Sequence, residues 1–418
     1  MTQAMDPLLI SPVADDEHEL LAALTLRAFE PLPIHQRVFG QVDPVEHAAF
    51  IATQALAAAK KPGQENVKVT RGGKPVAFGS YSTTASIATE SSAADGTPAI
   101  SDRAEDRFPP GTNIELANEL FSRSSTKIVE PHFYIRTLAV APEAQGGGIA
   151  SALLRHICKQ ADEQSVAIYL TATPGGLSLY RRFGFEPNGE AKRPASDPEL
   201  ALYPMRREPL TFVPATHEDL PELARVHRCA FAPTKIMNYL HTEIDPEIFA
   251  EFFVKRFTKI LDEAAEKKDG GAIVTVAKRG KTLLGFAWST REPAAKDRPP
   301  EDKEAPERPR MPGMDVVRAR ELLGALDRHA KSIPFAHWNL HILSIDPAAQ
   351  GSGIGKRLLQ SVIDQAACEG VPVTLESTEL GLGLYRSVGF QDFSDILIAE
   401  QDKTVKLWPM VHGAVPAE

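Results

Sequence analysis

Two kinds of hydrophobic pattern alternate along the first half of the chain. Short runs of apolar and β-branched residues predict strands at residues 8–10, 67–70 and 76–81. Apolar residues at helical spacing predict helices between and after these strands, at residues 45–60 and around residue 117. The mixture of the two patterns within one stretch predicts an α/β domain rather than an all-helical or all-strand domain.

The same order of elements recurs in the second half. Strands are predicted at residues 210–213, 273–277 and 283–289, and helices at residues 246–265 and around residue 319. A repeated order of elements within one chain indicates that one structural unit has been duplicated.

Three motifs mark this repeat more sharply. Each half holds a glycine-rich loop, a Leu-Tyr-Arg segment followed by Gly-Phe, and a Pro-Met near its end. Every matched pair is 205 positions apart (350 − 145, 385 − 180 and 410 − 205). We therefore predict two domains, residues 1–206 and 207–418, with insertions at about 86–130 and about 291–335. The matched residues are Gln145 with Gln350, Tyr180 with Tyr385, and Met205 with Met410.

Composition narrows the possible function classes. Apolar residues make up 43% of the chain and charged residues 24%, as in an ordinary globular protein. The net charge of −9 and the lack of a Lys/Arg run argue against nucleic-acid binding. Cys158, Cys229 and Cys368 are far apart, which argues against a disulfide framework or a thiolate metal site and fits a reducing compartment. With neither a signal peptide nor a membrane-spanning run in view, we expect a cytoplasmic protein.

A strand, a glycine loop and a helix follow one another directly in each half. The strands are predicted at residues 135–140 and 340–346, and the loops lie at residues 145–150 and 350–355. Glycines at a helix start let backbone N–H groups converge on an anion, and the helix dipole adds a favourable partial charge. Neither loop has the spacing GxxxxGK[ST] of a P-loop or the GxGxxG of a dinucleotide fold. The pattern therefore indicates a pyrophosphate site of another kind.

In its context, the loop resembles a known motif. The pattern Gln-x-x-Gly-x-Gly/Ala after a strand ending in Leu-x-Val/Ile-x-Pro resembles the acetyl-CoA-binding motif of the GNAT (Gcn5-related N-acetyltransferase) superfamily. The downstream Leu-Tyr-x-x-x-Gly-Phe resembles that family's penultimate helix and following strand, and the likeness is most specific in residues 135–185 and 340–390. The resemblance implies an acyl-CoA N-acyltransferase fold of the α/β (α+β) class. Two tandem domains would each have a mixed, mostly antiparallel sheet, flanked by helices and splayed where the core strand meets the loop.

The resemblance also implies cofactor-binding residues in both halves. Backbone N–H groups of each loop would hold the pyrophosphate of acetyl-CoA. The strand end before the loop would offer backbone groups to the pantetheine arm and to the thioester carbonyl, where a donor stabilises the developing oxyanion. The implied residues are Leu343, Ser344, Ile345, Gln350, Gly351, Ser352, Gly353, Ile354, Gly355 and Lys356 in the second half, and Leu138, Val140, Gln145, Gly146, Gly147, Gly148, Ile149 and Ala150 in the first.

The catalytic roles leave alternatives open. Tyr180 and Tyr385 would act as general acids toward the departing thiolate, or would be core aromatics with satisfied hydroxyls. The core-strand segments at residues 134–138 and 339–343 contain no carboxylate that would serve as base. By strand alternation His341 shares the side of the strand-end residues after it, so it is a candidate base or a strand histidine bonded elsewhere. Glu376 either orients the amine or anchors the structure.

The activity that the resemblance implies is acetyl transfer from acetyl-CoA to a primary amine by direct attack, with a small-molecule acceptor and no metal. An acyl-CoA sensor without turnover and a protein or peptide N-acetyltransferase are the alternatives. The second half is the expected active copy, because it has Gly355 where the first has Ala150 and adds Lys356 and Arg357. A duplicated domain can replace a dimer contact, so we expect a monomer with a pseudo-twofold domain pair that binds neither nucleic acid nor membrane.

Overall fold

The computed structural model describes residues 7–83, 108–121, 128–241, 245–266, 271–298 and 311–415. The chain divides into two compact units, Met1–Leu210 and Thr211–Glu418. Parts of both predicted insertions, residues 86–107, 122–127 and 299–310, lie outside the described residues. No described helix is long and apolar enough to cross a membrane.

The N-terminal domain is a seven-stranded sheet with helices. Its described strands are β1 (Leu8–Pro12), β2 (Gln64–Arg71), β3 (Lys74–Thr83), β4 (His132–Val140), β5 (Ala167–Ala172), β6 (Phe185–Pro187) and β7 (Tyr203–Arg207). Its described helices are α1 (His18–Phe29), α2 (Pro33–Phe39), α3 (Pro44–Ala59), α4 (Ile114–Phe121), α5 (Ile149–Glu163) and α6 (Leu177–Arg182).

The C-terminal domain repeats this order of elements with an eight-stranded sheet. Its described strands are β8 (Leu210–Pro214), β9 (Ala272–Arg279), β10 (Thr282–Glu292), β11 (His337–Ile345), β12 (Val373–Ser377), β13 (Gln391–Asp392), β14 (Leu397–Ile398) and β15 (Lys406–His412). Its described helices are α7 (Leu220–Phe231), α8 (Lys235–Leu240), α9 (Pro246–Glu266), α10 (Val316–Ser332), α11 (Ile354–Cys368) and α12 (Leu382–Ser387).

Both sheets are mostly antiparallel, which confirms the predicted fold class. The strand orders are β1-β2-β3-β4-β5-β7-β6 and β13-β15-β12-β11-β10-β9-β8, with β14 beside β15. Among the described strands, β4 with β5 and β11 with β12 are parallel neighbours. Parallel neighbours need a crossover, and here helices α5 and α11 supply it. The glycine loops therefore lie at the start of the crossover helix in each domain.

The crossover helix packs on the sheet through the apolar face that the sequence predicts. In α11 that face consists of Ile354, Leu358, Leu359, Val362 and Ile363, all of them buried. The corresponding face of α5 belongs to the main core cluster of the N-terminal domain. Burying five such side chains stabilises the fold by roughly 1.5–3 kcal/mol each in transfer terms, so the helix start and its loop are held against the sheet.

The strand before each glycine loop contains a β-bulge. In the pairing of β10 with β11, Trp288 lies opposite Ile342 and Ser289 lies opposite Leu340, so the backbone register skips His341. The pairing of β3 with β4 skips Arg136 in the same way, at the position 205 residues earlier (341 − 136). A bulge adds local twist and bends the strand.

The parallel pair in each domain separates after a few residues. In the C-terminal domain only Trp338 with Val373 and Asn339 with Thr374 are paired, and beyond them β11 and β12 diverge. The N-terminal domain keeps four such pairs, from His132 to Ile135 on β4. The predicted splay is therefore present, and it begins earlier in the C-terminal domain.

Candidate acetyl-CoA site

Each glycine loop leaves open space at its turn. Gly351 and Gly353 have φ values of 72° and 86°, in the left-handed region that favours glycine, and Gly146 and Gly148 have 76° and 73°. A Cβ built on any of the four would meet no atom within 4 Å. The loops are thus shaped by backbone conformation and not by packing, which leaves their inner surface free for a ligand.

The glutamine that opens each loop ties it to the preceding strand. Gln350 Nε2 donates to the carbonyl oxygen of Ile345 at 3.3 Å, and Gln145 Nε2 donates to that of Val140 at 3.1 Å. The glutamine side chains therefore hold the shape of the turn. Each glutamine uses an amide N–H within the protein, and the backbone N–H groups of the loop are the further donors for a phosphate.

The strand ends direct backbone groups toward the splay. Asp346 N donates to Leu284 O at 2.8 Å, which makes these two a hydrogen-bonded pair with β10. Hydrogen-bonded and non-hydrogen-bonded pairs alternate in an antiparallel ladder, so the N–H and C=O of Ile345 and Leu343 face away from β10. In the N-terminal domain, Ala141 N donates to Val76 O of β3, so by the same alternation the backbone groups of Val140 and Leu138 face away from β3. Two of these backbone groups are already hydrogen-bonded, since the carbonyl oxygens of Ile345 and Val140 accept from Gln350 and Gln145.

Other predicted cofactor residues face the core. Ser344 is fully buried, and its hydroxyl hydrogen-bonds His227 Nδ1 of α7 at 3.1 Å. Burial lowers the pKa of His227 to about 3, so this histidine is neutral. Ile149 and Ile354 are buried under the helix starts. These three residues could serve a cofactor through their backbones alone.

Arg71 joins the N-terminal loop from a distant part of the sequence. It lies at the end of β2, and a Cβ built on Gly147 would lie 3.3 Å from Arg71 Nη2. Its Nε is buried without a hydrogen-bond partner among the described residues. Sequence reasoning missed this residue, because nothing local shows that the hairpin tip reaches the loop.

The two motif tyrosines occupy matching positions. Tyr385 packs edge-on against Phe390 with ring centroids 5.7 Å apart, and Tyr180 packs on Phe185 at the same distance. No described residue hydrogen-bonds either hydroxyl. Burial raises the pKa of Tyr180 to about 12 and raises the pKa of Tyr385 as well. Both hydroxyls are therefore protonated at neutral pH and can still donate a hydrogen bond.

A glycine makes room for each tyrosine ring. A Cβ on Gly381 would lie 2.7 Å from Tyr385 Cε2 and 3.0 Å from Ser377 Oγ, and the corresponding distance at Gly176 is 2.9 Å to Tyr180 Cε2. The ring edge of Tyr385 is thus held between the start of α12 and the end of β12. This contact fixes the direction of the hydroxyl.

We expect Gly381→Ala to displace the Tyr385 ring and to lower the melting temperature, since overpacking typically costs about 1–3 kcal/mol. Gly383→Ala is the matched control, because a Cβ there meets nothing within 4 Å and Ala favours the helix. Thermal melts of both variants check this. Equal melting temperatures for the two variants would contradict the close packing at Gly381.

His341 lies where the alternation breaks. The interpretation that it shares the side of the strand-end residues assumed a regular strand, and the bulge at His341 removes that assumption. Its ring stacks on Trp288 at 4.3 Å, and its Nε2 is 2.6 Å from Thr290 Oγ1. Asn339 Nδ2 lies 3.3 Å from its Nδ1. His341 is therefore an exposed histidine with several partners.

Glu376 pairs with a histidine that sequence reasoning missed. Its Oε1 is 2.8 Å from His329 Nδ1, and Ser394 Oγ is 3.0 Å from His329 Nε2. His329 belongs to α10 and is buried, with 7% of its side chain exposed. The sequence could have indicated this buried position, since helical spacing places His329 on the same face as Ala319 and Leu322. A histidine at a core position of an amphipathic helix requires a buried partner.

Comparison with known proteins picks out the same two regions of the chain. The sequence profile described as an acetyltransferase (GNAT) domain matches residues 117–187 and again residues 317–392. Each match contains a glycine loop and the tyrosine motif after it. The chain therefore contains two regions that match the GNAT acetyltransferase domain.

Individual proteins match this chain either over a short stretch or at low sequence identity. N-alpha-acetyltransferase RimI of Mycobacterium tuberculosis is 44% identical over 69 residues, which is 16% of this chain and 42% of RimI. The solved structure of histone acetyltransferase HPA2 and related acetyltransferase from Corynebacterium glutamicum is 20% identical, with a TM-score of 0.32, over 50% of this chain and 99% of its own. The solved structure of PaiA N-acetyltransferase from Thermoplasma acidophilum in complex with coenzyme A is 16% identical, with a TM-score of 0.31. The match covers 49% of this chain and 99% of that chain.

Proposed function

We propose that this tandem GNAT protein is an acetyl-CoA-dependent N-acetyltransferase whose C-terminal domain carries the reaction. The observation that supports this most is the combination of an open, left-handed glycine loop with a neighbouring strand end whose backbone faces the splay. A pyrophosphate at the loop and a pantetheine arm along Leu343 and Ile345 would use these two features together. The same features in the N-terminal domain, with Arg71 beside the loop, support a second cofactor site there.

In the proposed reaction the acceptor amine attacks the thioester carbonyl directly. The backbone N–H of Ile345 or Leu343 would stabilise the developing oxyanion, and Tyr385 would protonate the departing thiolate. None of the three cysteines lies in either loop or tyrosine motif, so no thiol there would carry the acetyl group.

The two domains differ at the polar groups around the splay. The C-terminal domain has Glu376 on β12 and Ser394 after β13. The N-terminal domain has Thr171 and Gly189 at the positions 205 residues earlier (376 − 171 and 394 − 189). A base that accepts the amine proton therefore has candidates in the C-terminal domain that these N-terminal positions lack. This difference supports the C-terminal domain as the active copy.

We further propose a small-molecule amine as the acceptor. An open surface groove of about 390 Å³ lies beside the β13–β15 edge of the C-terminal sheet, and its volume is large enough for a small amine. A peptide N-terminus is the second candidate acceptor, because the identity over 69 residues is to a protein named as an N-alpha-acetyltransferase.

An acceptor panel tests the proposal. Free thiol released from acetyl-CoA is followed with the full chain and with polyamines, arylalkylamines and peptides that have free N-termini. Turnover of small amines in preference to peptides supports the small-molecule acceptor, and the reverse order supports the peptide acceptor. Tight binding of coenzyme A without turnover of any amine would instead make the protein an acyl-CoA sensor.

A further inference from the structure

We propose that Arg71, at the end of β2, is a cofactor-binding residue that holds the pyrophosphate of coenzyme A against the N-terminal glycine loop. The inference rests on the proposed use of acetyl-CoA. It assigns to the N-terminal domain a phosphate-binding side chain that lies outside its loop motif. It also assigns to the two domains different ways of placing positive charge beside their loops.

The register of the sheet directs Arg71 toward the crossover helix. Val67, Val69 and Arg71 alternate along β2, and β2 pairs with β1 without a bulge. Val67 and Val69 are buried in the core cluster that contains Leu153 of α5. Successive strand residues point to opposite faces of a sheet. Arg71 therefore continues this apolar row on the α5 side of the sheet, at the tip of the hairpin.

The Arg71 guanidinium lies against the middle of the loop. A Cβ built on Gly147 would be 3.3 Å from Nη2 and 3.5 Å from Nη1, whereas a Cβ built on Gly146 or Gly148 would face open space. Gly147 therefore makes room for the guanidinium, and the glycines on either side leave room for a ligand next to it. Gly148 is the N-cap of α5, so an anion bound by the N–H groups of this helix start is within reach of Arg71.

No described residue neutralises this guanidinium. Arg71 Nε is buried without a hydrogen-bond partner, and none of the described residues forms an ion pair with the side chain. Glu143, the carboxylate just before the loop, pairs with Arg27 of α1 at 3.4 Å. The N-terminus of a helix is itself positive, so a second positive group beside it is unfavourable unless an anion lies next to both. A pyrophosphate at the loop supplies such an anion.

The C-terminal loop obtains positive charge in another way. Lys356 and Arg357 lie near the start of α11, whereas the matching residues of α5 are Ser151 and Ala152 (356 − 151 and 357 − 152 each give 205). The start of α5 therefore has neither of these two cations. This difference supports Arg71, which comes from a distant strand, as the phosphate-binding cation of the N-terminal domain.

A guanidinium and a set of backbone N–H groups suit the two phosphates of coenzyme A. The planar fork of arginine donates parallel hydrogen bonds to phosphate oxygens, and backbone N–H groups at the helix start donate to other oxygens of the same group. Coenzyme A also carries a 3′-phosphate on its ribose. Because Arg71 lies at the loop itself, we assign it to the pyrophosphate and not to the 3′-phosphate.

Calorimetric titration tests the assignment in a chain that also carries Gly353→Val, which blocks the C-terminal loop so that one site remains. In this background we expect Arg71→Met to weaken coenzyme A binding by about 10- to 100-fold, the usual scale for hydrogen bonds to a charged group. Dephospho-coenzyme A, which lacks the 3′-phosphate, should lose the same factor. Lys74→Met is the matched control, because Lys74 is exposed opposite Arg71 on the same hairpin and carries the same charge. Its affinity should change by less than about twofold.

Thermal melts distinguish cofactor binding from support of the fold. Met keeps an apolar stem in place of Arg71, and the Nε that it removes has no described partner. The melting temperature without cofactor should therefore not fall. Coenzyme A should raise the melting temperature of Arg71→Met less than that of the background chain. A lower melting temperature without cofactor, together with an unchanged Kd, would make Arg71 a structural residue and overturn the assignment.

The remaining outcomes also decide the question. A loss confined to coenzyme A, with dephospho-coenzyme A unaffected, would move Arg71 to the 3′-phosphate and overturn the assignment. Equal losses in Arg71→Met and Lys74→Met would show a general effect of charge and overturn it as well. If the Gly353→Val chain binds no coenzyme A while the unaltered chain acetylates amines, this inference fails and the proposed function stands. If the unaltered chain binds no coenzyme A, the proposed function itself fails.

Discussion

Gly353→Val should weaken coenzyme A binding to the C-terminal domain by more than about tenfold, or at least about 1.4 kcal/mol. Gly353 has a φ of 86° and precedes the first residue of α11, and a Cβ there points into open space. In the proposed complex the pyrophosphate fills that space against the backbone. A β-branched side chain would both block the approach and disfavour the left-handed conformation. Calorimetric titration with coenzyme A measures the effect.

Backbone strain alone has its own control at the other end of α11. Gly370 has a φ of 66°, and a Cβ there also meets nothing within 4 Å. Gly370→Val therefore carries comparable strain without reaching the loop, and its affinity for coenzyme A should stay near that of the unaltered chain. Gly148→Val tests the N-terminal loop in the same way. If only Gly148→Val abolishes binding, the cofactor site belongs to the N-terminal domain.

Tyr385→Phe should lower kcat by about 100-fold, at the low end for general acid catalysis because a coenzyme A thiolate is a fairly good leaving group. The Kd for acetyl-CoA should barely change, since the hydroxyl acts in the transition state rather than in the ground state. The Tyr385 hydroxyl has no hydrogen-bond partner among the described residues, so its removal leaves no buried group unsatisfied. Phe keeps the ring contact with Phe390, and the melting temperature should stay close to that of the parent.

Tyr180→Phe distinguishes the two domains in the same assay. Its ring makes the matching contact in the N-terminal domain, and we expect little change in kcat. A large loss in Tyr180→Phe with none in Tyr385→Phe would place the active site in the N-terminal domain. No loss in either variant or in the double variant would leave thiolate protonation to solvent.

Local patterns in the sequence were enough for the architecture. The apolar face from Ile354 to Ile363 is the buried face of α11, and the duplicated motifs correspond to two similar sheets. These features depend on spacing within one element or on repetition, and both can be seen in one dimension. The glycine loops are also local, because a left-handed turn before a helix needs glycine whatever surrounds it.

The prediction that His341 shares the strand face of Leu343 and Ile345 assumed regular alternation along β11. Regular alternation predicts the facing of a strand residue only where the pairing register is continuous, and the bulge lies at this residue. The position of a bulge depends on how two strands pair. The His341 ring then contacts Thr290 of β10 and Asn339 of its own strand, β11. Neither contact leaves a mark in the sequence around His341.

The sequence by itself determined the two similar domains, their glycine loops and the positions of Tyr180 and Tyr385, because each of these is a local pattern that occurs twice. Only the tertiary structure decided the partners of Glu376. His329 is 47 positions before it and Ser394 is 18 positions after it (376 − 329 and 394 − 376), on a helix and a loop that the fold brings to one strand. Long-range contacts of this kind arise from the packing of α10 and the β13–β15 edge against β12, and a single sequence does not encode them in any spacing.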